Sequence, residues 1–199
     1  MSEPVVLDSR QAATAAEVAR KLANPFLLKG FFLAKLPLAL IAGLRVASLT
    51  PERCVVTVPY GWRTTNPFRS TYFAALAMAA ELSTGALAML AVRVAPQPVA
   101  LLIVDLKASF EKKATARTTF TCAGGKAIFD AVARTVATGE PATATVESVG
   151  TAPDGAVVAR FALTWSFKAR AKRGWNPSQL NLSRFRGRVS IMVESVAQS

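Results

Sequence analysis

The chain lacks histidine altogether and has only two cysteines, Cys54 and Cys122, which stand apart and outside any CxxC pair. The common zinc sites, zinc-activated water and the Ser/His and Cys/His nucleophile pairs all depend on these residue types. We therefore exclude those kinds of metal site and catalytic site. Two isolated cysteines also give no basis for a disulfide framework.

Acidic residues are scarce: 12 Asp and Glu stand against 24 Lys and Arg, a formal net charge of +12. Such an excess favours an anionic partner, for example nucleic acid, phospholipid or a phosphorylated cofactor. Basic residues dominate from Lys168 onward, so we interpret residues 171–199 as a basic C-terminal extension, with a final strand expected near residues 189–193. Nucleic acid is the unfavoured partner, because Trp175 and Phe185 are the only aromatic residues in this extension and no known nucleic-acid module is readable.

The sequence has no long uninterrupted apolar run. Residues 31–49 come closest, but Lys35 and Arg45 interrupt them and Pro37 bends them, so the apolar core falls short of the ~20 residues that span a bilayer. We expect this segment to be buried or interfacial, with peripheral membrane contact as one role. Charged residues interrupt the N-terminus where a secretory signal would lie, which favours a cytoplasmic protein.

A hydrophobic fraction of 52% over 199 residues is enough for one domain core. We predict an N-terminal helical extension over residues 1–43, packed on a domain over residues 44–170. The extension contains a helix capped by Ser9 and ending near residue 22, then one or two short helices around Pro37. In the domain we predict strands at residues 44–49, 54–58, 99–110, 116–122, 142–149 and 156–167, a long helix at 70–92 and a short one at 128–136.

This order of elements is a strand pair, one long helix and then a run of strands, with Asp154-Gly155 as a hairpin turn between the last two. Alternating strand and helix units, which a parallel sheet requires, are absent. The pattern predicts an α+β fold in which a single curved antiparallel sheet wraps around one long central helix.

The central helix carries one candidate for a general acid or base, and we expect that residue to lie in an apolar environment. Residues 70–92 are apolar on every face, and Glu81 is their only charged residue. Loss of water raises the pKa of a carboxyl group toward the range where it can act as a general base. At the helix start, free N–H groups around Tyr72 and Ala74 could polarise a carbonyl, and small side chains there let a ligand approach the backbone.

Residues 66–85, with the sequence NPFRSTYFAALAMAAELSTG, resemble the hotdog-fold thioesterase superfamily. The resemblance covers residues 44–167 and is to the phenylacetyl-CoA thioesterase-like group and to a related hotdog family of unassigned function. That group has an Asn in the loop, His-Gly-Gly six residues later and an acidic residue nine beyond the His. Asn66, Tyr72 and Glu81 have the same spacing, although Tyr72 replaces the His and Phe73-Ala74 replaces Gly-Gly.

The resemblance implies a hotdog fold, a homodimer or a dimer of dimers, and an acyl-CoA or acyl-carrier substrate. Coenzyme A is then part of the substrate, and neither a separate cofactor nor a metal is implied. Glu81 would act as base or nucleophile, the Phe73 or Ala74 amide as oxyanion donor, and Asn66 would position the water or the base. Basic residues on what we expect to be two neighbouring strands would bind the coenzyme A phosphates: Lys107, Lys112, Lys113, Arg117 and Lys126, with Arg69 as a further candidate for substrate binding.

Each of these residues also has a structural interpretation. Glu81 could pair with Arg63 or Arg69, Asn66 could only form a turn, and Tyr72 could be a core ring. The lysines could line a solvated sheet edge. We therefore keep two functional hypotheses: an acyl thioesterase, and a non-catalytic acyl-binding or lipid-binding hotdog protein whose residues 26–43 line or cover the ligand tunnel.

Overall fold

A computed structural model describes residues 4–170. The basic C-terminal extension and its predicted strand at residues 189–193 therefore lie outside the described residues. The helices are α1 (Ser9–Ala23), α2 (Pro25–Lys35), α3 (Pro37–Ala42), α4 (Phe73–Val94) and α5 (Gly125–Thr138). The strands are β1 (Arg45–Leu49), β2 (Cys54–Val58), β3 (Val99–Phe110), β4 (Thr118–Cys122), β5 (Ala142–Thr151) and β6 (Val157–Ala169).

The six strands form one sheet in the order β1-β2-β4-β5-β6-β3, and every neighbouring pair is antiparallel. The central helix α4 contacts all six strands, so the sheet wraps around it. This confirms the curved antiparallel sheet around one long helix that the order of elements predicted, and the hotdog fold that the resemblance implied. The edge strand β3 pairs with β6 on one side and has no neighbour within the described chain on the other.

The core lies between α4 and the concave face of the sheet. Ala79, Ala80, Leu87 and Leu90 of α4 are fully buried, as its lack of a polar face predicts. Alternate residues of the long strand β6 point toward α4 and are buried: Phe161, Leu163, Trp165 and Phe167. Among residues 4–170, α4 is the one helix long and apolar enough to cross a membrane, and its burial here identifies it as a core helix.

The N-terminal helix α1 begins one residue earlier than its predicted cap allows. Asp8, not Ser9, is the N-cap: its carboxylate accepts a hydrogen bond of 2.8 Å from Gln11 N, and Gln11 Oε1 accepts one of 3.1 Å from Asp8 N. This reciprocal pair requires a Gln or Glu three residues after the cap, a condition that Asp8 meets and Ser9 does not. Downstream, the predicted break at Pro37 separates α2 from α3, and α3 ends at Gly43 with φ 74°.

The helix predicted at residues 128–136 is longer and starts at Gly125. A Cβ at this position would lie 1.9 Å from Pro51 O, so only glycine lets the β1–β2 turn approach the start of α5. Gly125 N donates to Glu52 O at 3.1 Å. Gly125 therefore serves close packing of two backbones, whereas Gly124 makes room for the side chain of Val146, which would lie 2.5 Å from a Cβ at this position. The hairpin predicted at Asp154-Gly155 is confirmed between β5 and β6.

Candidate functional site

The loop that precedes α4 is organised by the side chain of Asn66. Its Oδ1 accepts hydrogen bonds from Phe68 N at 3.0 Å, from Ser70 N at 3.2 Å and from Ser70 Oγ at 3.2 Å. These contacts are those of an Asx turn, so the structural interpretation of Asn66 holds. The Nδ2 group donates to no residue among those described and remains available for a ligand.

The start of α4 is anchored from both sides and leaves two amides without an acceptor. Thr71 N donates to Ala114 O, and Tyr72 N donates to Thr64 O, each at 2.7 Å. No side chain caps the helix, and the N–H groups of Phe73 and Ala74 have no acceptor within residues 4–170. Unpaired amides at the positive end of a 22-residue helix are suited to binding a carbonyl oxygen or an anion.

A cavity of about 470 Å³ opens at this helix start. Asn66, Tyr72 and Phe73 line it together with Lys112 and Lys113, which follow the end of β3. The ring of Tyr72 is half exposed and packs edge-on against Phe73 with ring centroids 4.9 Å apart, so the interpretation of Tyr72 as a core ring is wrong. We call this pocket the helix-start cavity.

Glu81 lies in a different cavity of about 530 Å³, which we call the Glu81 cavity. Its walls are almost entirely apolar and come from α2, α4, β3 and β6; they include Leu28, Phe32, Ile103 and Trp165. Within the described part of the chain, Glu81 and Lys35 are the charged residues that line it. The N-terminal helices therefore do cover a pocket, as the lipid-binding hypothesis predicted.

The carboxylate of Glu81 is half-buried and has no partner. It forms no hydrogen bond or ion pair within residues 4–170, so the proposed pairing with Arg63 or Arg69 is wrong. Burial raises the pKa of Glu81 above its usual range. A carboxylate with a raised pKa is a stronger base than an exposed one, which suits Glu81 to accept and return a proton.

Gly85 lies beside that carboxylate and beside the ring of Trp165, and sequence reasoning singles out neither Gly85 nor Trp165. A Cβ on Gly85 would lie 2.9 Å from Glu81 Oε1 and 3.4 Å from the Trp165 ring. Trp165 is held in turn by a 3.1 Å hydrogen bond from its Nε1 to Thr84 Oγ1. The spacing of four residues between Glu81 and Gly85 is a sequence signal for a shared helix face, whereas nothing in the sequence indicates the contact with Trp165.

The structure does not bring Asn66, Tyr72 and Glu81 together within one chain. Tyr72 and Glu81 are nine residues apart on one helix, a separation of about 13 Å along its axis. They open into separate cavities, although both cavities border β3. Leu101 to Ile103, near its beginning, line the Glu81 cavity, whereas Phe110 at its end lines the helix-start cavity.

The expected cluster of basic residues is also divided. Lys107 lies on β3, whereas Arg117 directly precedes β4, and β5 and β6 separate these two strands. The expectation of neighbouring strands is therefore wrong, because consecutive strands need not be adjacent in a sheet. Lys126 lies on α5 and pairs with Asp130 at 2.8 Å.

Of the other expected ligand contacts, Lys113 lines the helix-start cavity, whereas Arg69 is exposed, has φ 58° and lines neither of the two cavities. Ala74 is half-buried, and of its atoms only the backbone amide is a candidate for binding. No group of three or more Cys, Asp or Glu residues within residues 4–170 could hold a metal ion.

The two cysteines are poor candidates for nucleophiles. Cys54 on β2 and Cys122 on β4 are buried directly opposite each other, and both are free thiols. Burial raises the pKa of Cys54 to about 12 and that of Cys122 to about 11. Both thiols are therefore protonated, and unreactive, near neutral pH.

Several solved structures share this fold at low sequence identity. A Chlorobaculum tepidum protein of unknown function is 15% identical with a TM-score of 0.65, and the match covers 80% of this chain and 99% of that one. A Pseudomonas aeruginosa protein described as a probable thioesterase is 20% identical with a TM-score of 0.61, covering 75% and 99%. A thioesterase from the same organism, solved as a mutant, is 17% identical with a TM-score of 0.55, covering 77% and 99%.

At these identities the likeness shows the hotdog fold alone. No curated protein matches the chain significantly. A family model described as "Domain of unknown function (DUF4442)" matches residues 26–167, which include α2, α3 and the whole sheet up to β6. The match spans well over half of the chain, and the protein is therefore a member of the DUF4442 family with a hotdog fold.

Proposed function

We propose that this protein is a thioesterase that hydrolyses an acyl-CoA or an acyl-carrier thioester. One observation carries the proposal: the Glu81 carboxylate lies in an apolar cavity, where burial raises its pKa, and has no partner among residues 4–170. A buried carboxylate that only served the fold would normally have a cationic or hydrogen-bonding partner. The thioesterase names of two similar structures agree with the proposal.

In the proposed reaction, the free amides of Phe73 and Ala74 bind the thioester carbonyl oxygen and stabilise the negative charge that develops on it. Glu81 either takes a proton from water as the water attacks the carbonyl carbon or attacks that carbon directly. Direct attack breaks the C–S bond and forms an acyl–Glu81 anhydride, which water then hydrolyses, and the expelled thiolate takes up a proton released by that water. In the water route the C–S bond then breaks, and Glu81 returns the proton to the leaving thiolate. The free Nδ2 group of Asn66 positions the water.

These groups can act on one thioester only if two copies of the chain supply them. The Glu81 cavity borders the beginning of β3 and the helix-start cavity borders its end. If two β3 strands pair antiparallel across a two-fold axis, the beginning of one strand lies beside the end of the other. We propose such a homodimer, in which Asn66 and the helix start of one subunit face Glu81 of the other.

The charges on β3 favour one register for this pairing. With the axis at Leu106, Asp105 of each subunit lies opposite Lys107 of the other. Asp105 and Lys107 are both exposed, and neither has an ion-pair partner among the described residues. Opposite charges directly across a strand pair stabilise it, and the exposed apolar residues of β3 would be covered.

In this dimer Lys107 contacts the other subunit and does not bind the substrate. Lys112 and Lys113 remain at the helix-start cavity, where they bind phosphate groups of coenzyme A.

Thiol release from a panel of short, long and aryl acyl-CoAs tests the proposed activity. We expect hydrolysis by the wild-type protein and a loss of at least about 100-fold in Glu81→Gln, which keeps the shape of the side chain but cannot take a proton. Exposed Glu140, which lies outside both cavities, provides the matched control Glu140→Gln, whose activity should equal that of wild type. Absence of thiol release by wild type on every member of the panel would contradict the proposal.

The second candidate function is acyl or lipid binding without hydrolysis. The observation that favours it is the apolar Glu81 cavity covered by α2, together with the rings of Tyr72 and Phe73 beside the helix-start amides. Native mass spectra would then show bound fatty material in a protein that releases no thiol. Ligand-free spectra combined with thiol release would instead favour the enzyme.

A further inference from the structure

The two short helices α2 and α3 expose a continuous series of large apolar side chains. We call this region the α2–α3 surface; its exposed members are Phe26, Leu27, Leu33, Leu38 and Ile41. Phe26 is 83% exposed and Leu33 59%, and with Gly30 they lie on one face of α2 at helical spacing. The opposite face of α2 buries Leu28 and Phe32. A helix that is apolar on both faces but covered on only one has a face without a partner, and none of residues 4–170 covers the outer face of α2.

The charged residues of the segment that forms this surface are all basic. No acidic residue occurs between Glu17 and Glu52, whereas Lys29, Lys35 and Arg45 fall within that interval and are exposed. Basic residues beside an exposed apolar helix face are complementary to anionic phospholipids, whose headgroups attract the cations while the acyl region takes up the apolar side chains.

A neighbouring loop adds an aromatic residue and another cation. The end of α3 contacts residues 59–63, because a Cβ on Gly43 would lie 3.2 Å from Pro59 Cγ and 3.4 Å from Arg63 Nη2. Trp62 in this loop is 87% exposed. Tryptophan is favoured at the level of lipid headgroups, where its ring is partly apolar and its N–H can still form hydrogen bonds.

Neither a second copy of the chain nor a membrane-spanning role fits this surface as well. In a two-fold contact the surface would face itself, and Lys29 would meet a like charge with no carboxylate in α2 or α3 to offset it. The helix α2 has 11 residues, about 16 Å, which is roughly half the thickness of a bilayer core.

We propose that the α2–α3 surface binds the protein to the surface of anionic phospholipid bilayers. Phe26 and Leu33 insert below the headgroups, Trp62 lies at their level, and Lys29 contacts their phosphates. Since Leu28 and Phe32 on the inner face of α2 line the Glu81 cavity, this helix separates the bilayer from that cavity. The binding surface does not depend on the proposed hydrolysis, and its test requires no activity.

Sedimentation of the full-length protein with vesicles tests this surface. We expect binding to phosphatidylcholine vesicles that contain about 30% phosphatidylglycerol, weaker binding in high salt, and little binding to phosphatidylcholine alone. The double substitution Phe26→Ser with Leu33→Ser should weaken binding to the anionic vesicles by at least about tenfold. Charge reversal by Lys29→Glu should also weaken binding, and only to anionic vesicles. The control Val6→Ser changes an apolar residue that is 93% exposed on another segment, and should bind as wild type does.

Three results would overturn the proposal. The first is that wild type does not bind anionic vesicles. The second is that the Phe26→Ser, Leu33→Ser variant binds them as tightly as wild type, in which case another basic segment, such as residues 171–199, holds the protein there. The third is that light scattering shows this variant to have lost an oligomer that wild type forms, which would make the surface an interface between copies. A native circular dichroism spectrum of the variant confirms that it is folded.

Discussion

At the scale of single residues, the functional hypothesis rests on an ionisable group placed where ionisation costs free energy. The sequence singles out Glu81 because it is the only charged residue of the apolar helix predicted at residues 70–92. The structure confirms that its side chain is partly shielded from water. The sequence did not indicate that the carboxylate would have no partner. That property depends on where Arg63 and Arg69 lie after folding, and neither reaches it.

The raised pKa of Glu81 predicts how stability depends on pH. Because this pKa is higher in the folded protein than the ordinary value of 4.5, folding favours the protonated form. The favourable contribution is complete below the unfolded pKa and is lost as the pH rises through the folded pKa. We therefore expect Glu81→Gln to have a larger free energy of unfolding than wild type at pH 7, and the difference to shrink toward pH 4. Urea unfolding at both pH values measures this difference in the free energy of unfolding, with Glu140→Gln as the control. If Glu81→Gln were less stable than wild type at pH 7, the raised pKa of Glu81 would be contradicted.

At the scale of elements, α4 shows what the sequence could predict and what it could not. Its apolar composition predicted a surrounded helix, and strand alternation predicted β3 and β6 closely. The sequence does not predict which strands are neighbours in the sheet: β3 and β4 follow each other in the chain but are separated by two strands in the sheet. The cap of α1 could have been identified correctly, since Gln11 lies three residues after Asp8.

Helix geometry also determines which of the candidate residues can act together within one chain. The family spacing suggested that Asn66, Tyr72 and Glu81 act together, yet nine residues of helix separate the last two by about 13 Å. The rise per residue would have revealed this from the sequence alone. Which cavity each residue lines depends on the wrapping of the sheet and on α2, and no local pattern contains that information.

Gly85→Ala tests the positioning of Glu81 on α4. The added methyl group would lie 2.9 Å from Glu81 Oε1, and the end of that side chain can move away. Alanine gains about 1 kcal/mol of helix propensity over glycine, so we expect the free energy of unfolding to change by less than about 1 kcal/mol. Activity should fall by at least about tenfold, because the carboxylate is displaced from its position in the Glu81 cavity. Thermal unfolding and thiol release measure the two effects, and unchanged activity would show that this position of Glu81 is unimportant.

At the scale of the whole molecule, an edge strand with exposed apolar residues needs a partner. In the proposed dimer, Lys107→Asp places like charges opposite each other twice, and we expect the dissociation constant of the dimer to rise by about tenfold or more. Adding Asp105→Lys exchanges the two charges and should restore association. Analytical ultracentrifugation of both variants measures this. If the exchange does not restore association, the register with the axis at Leu106 is wrong.

Mixing two inactive variants tests most directly whether Glu81 acts on a thioester held by another subunit. Glu81→Gln and Asn66→Ala should each release almost no thiol alone. After the two are unfolded together and refolded, half of the dimers are mixed, and each mixed dimer has one site with both residues intact. We predict recovery of about one quarter of the wild-type rate, as two-fold symmetry requires. A mixture as inactive as the separate variants, despite mixed dimers in native mass spectra, would contradict a site shared between subunits.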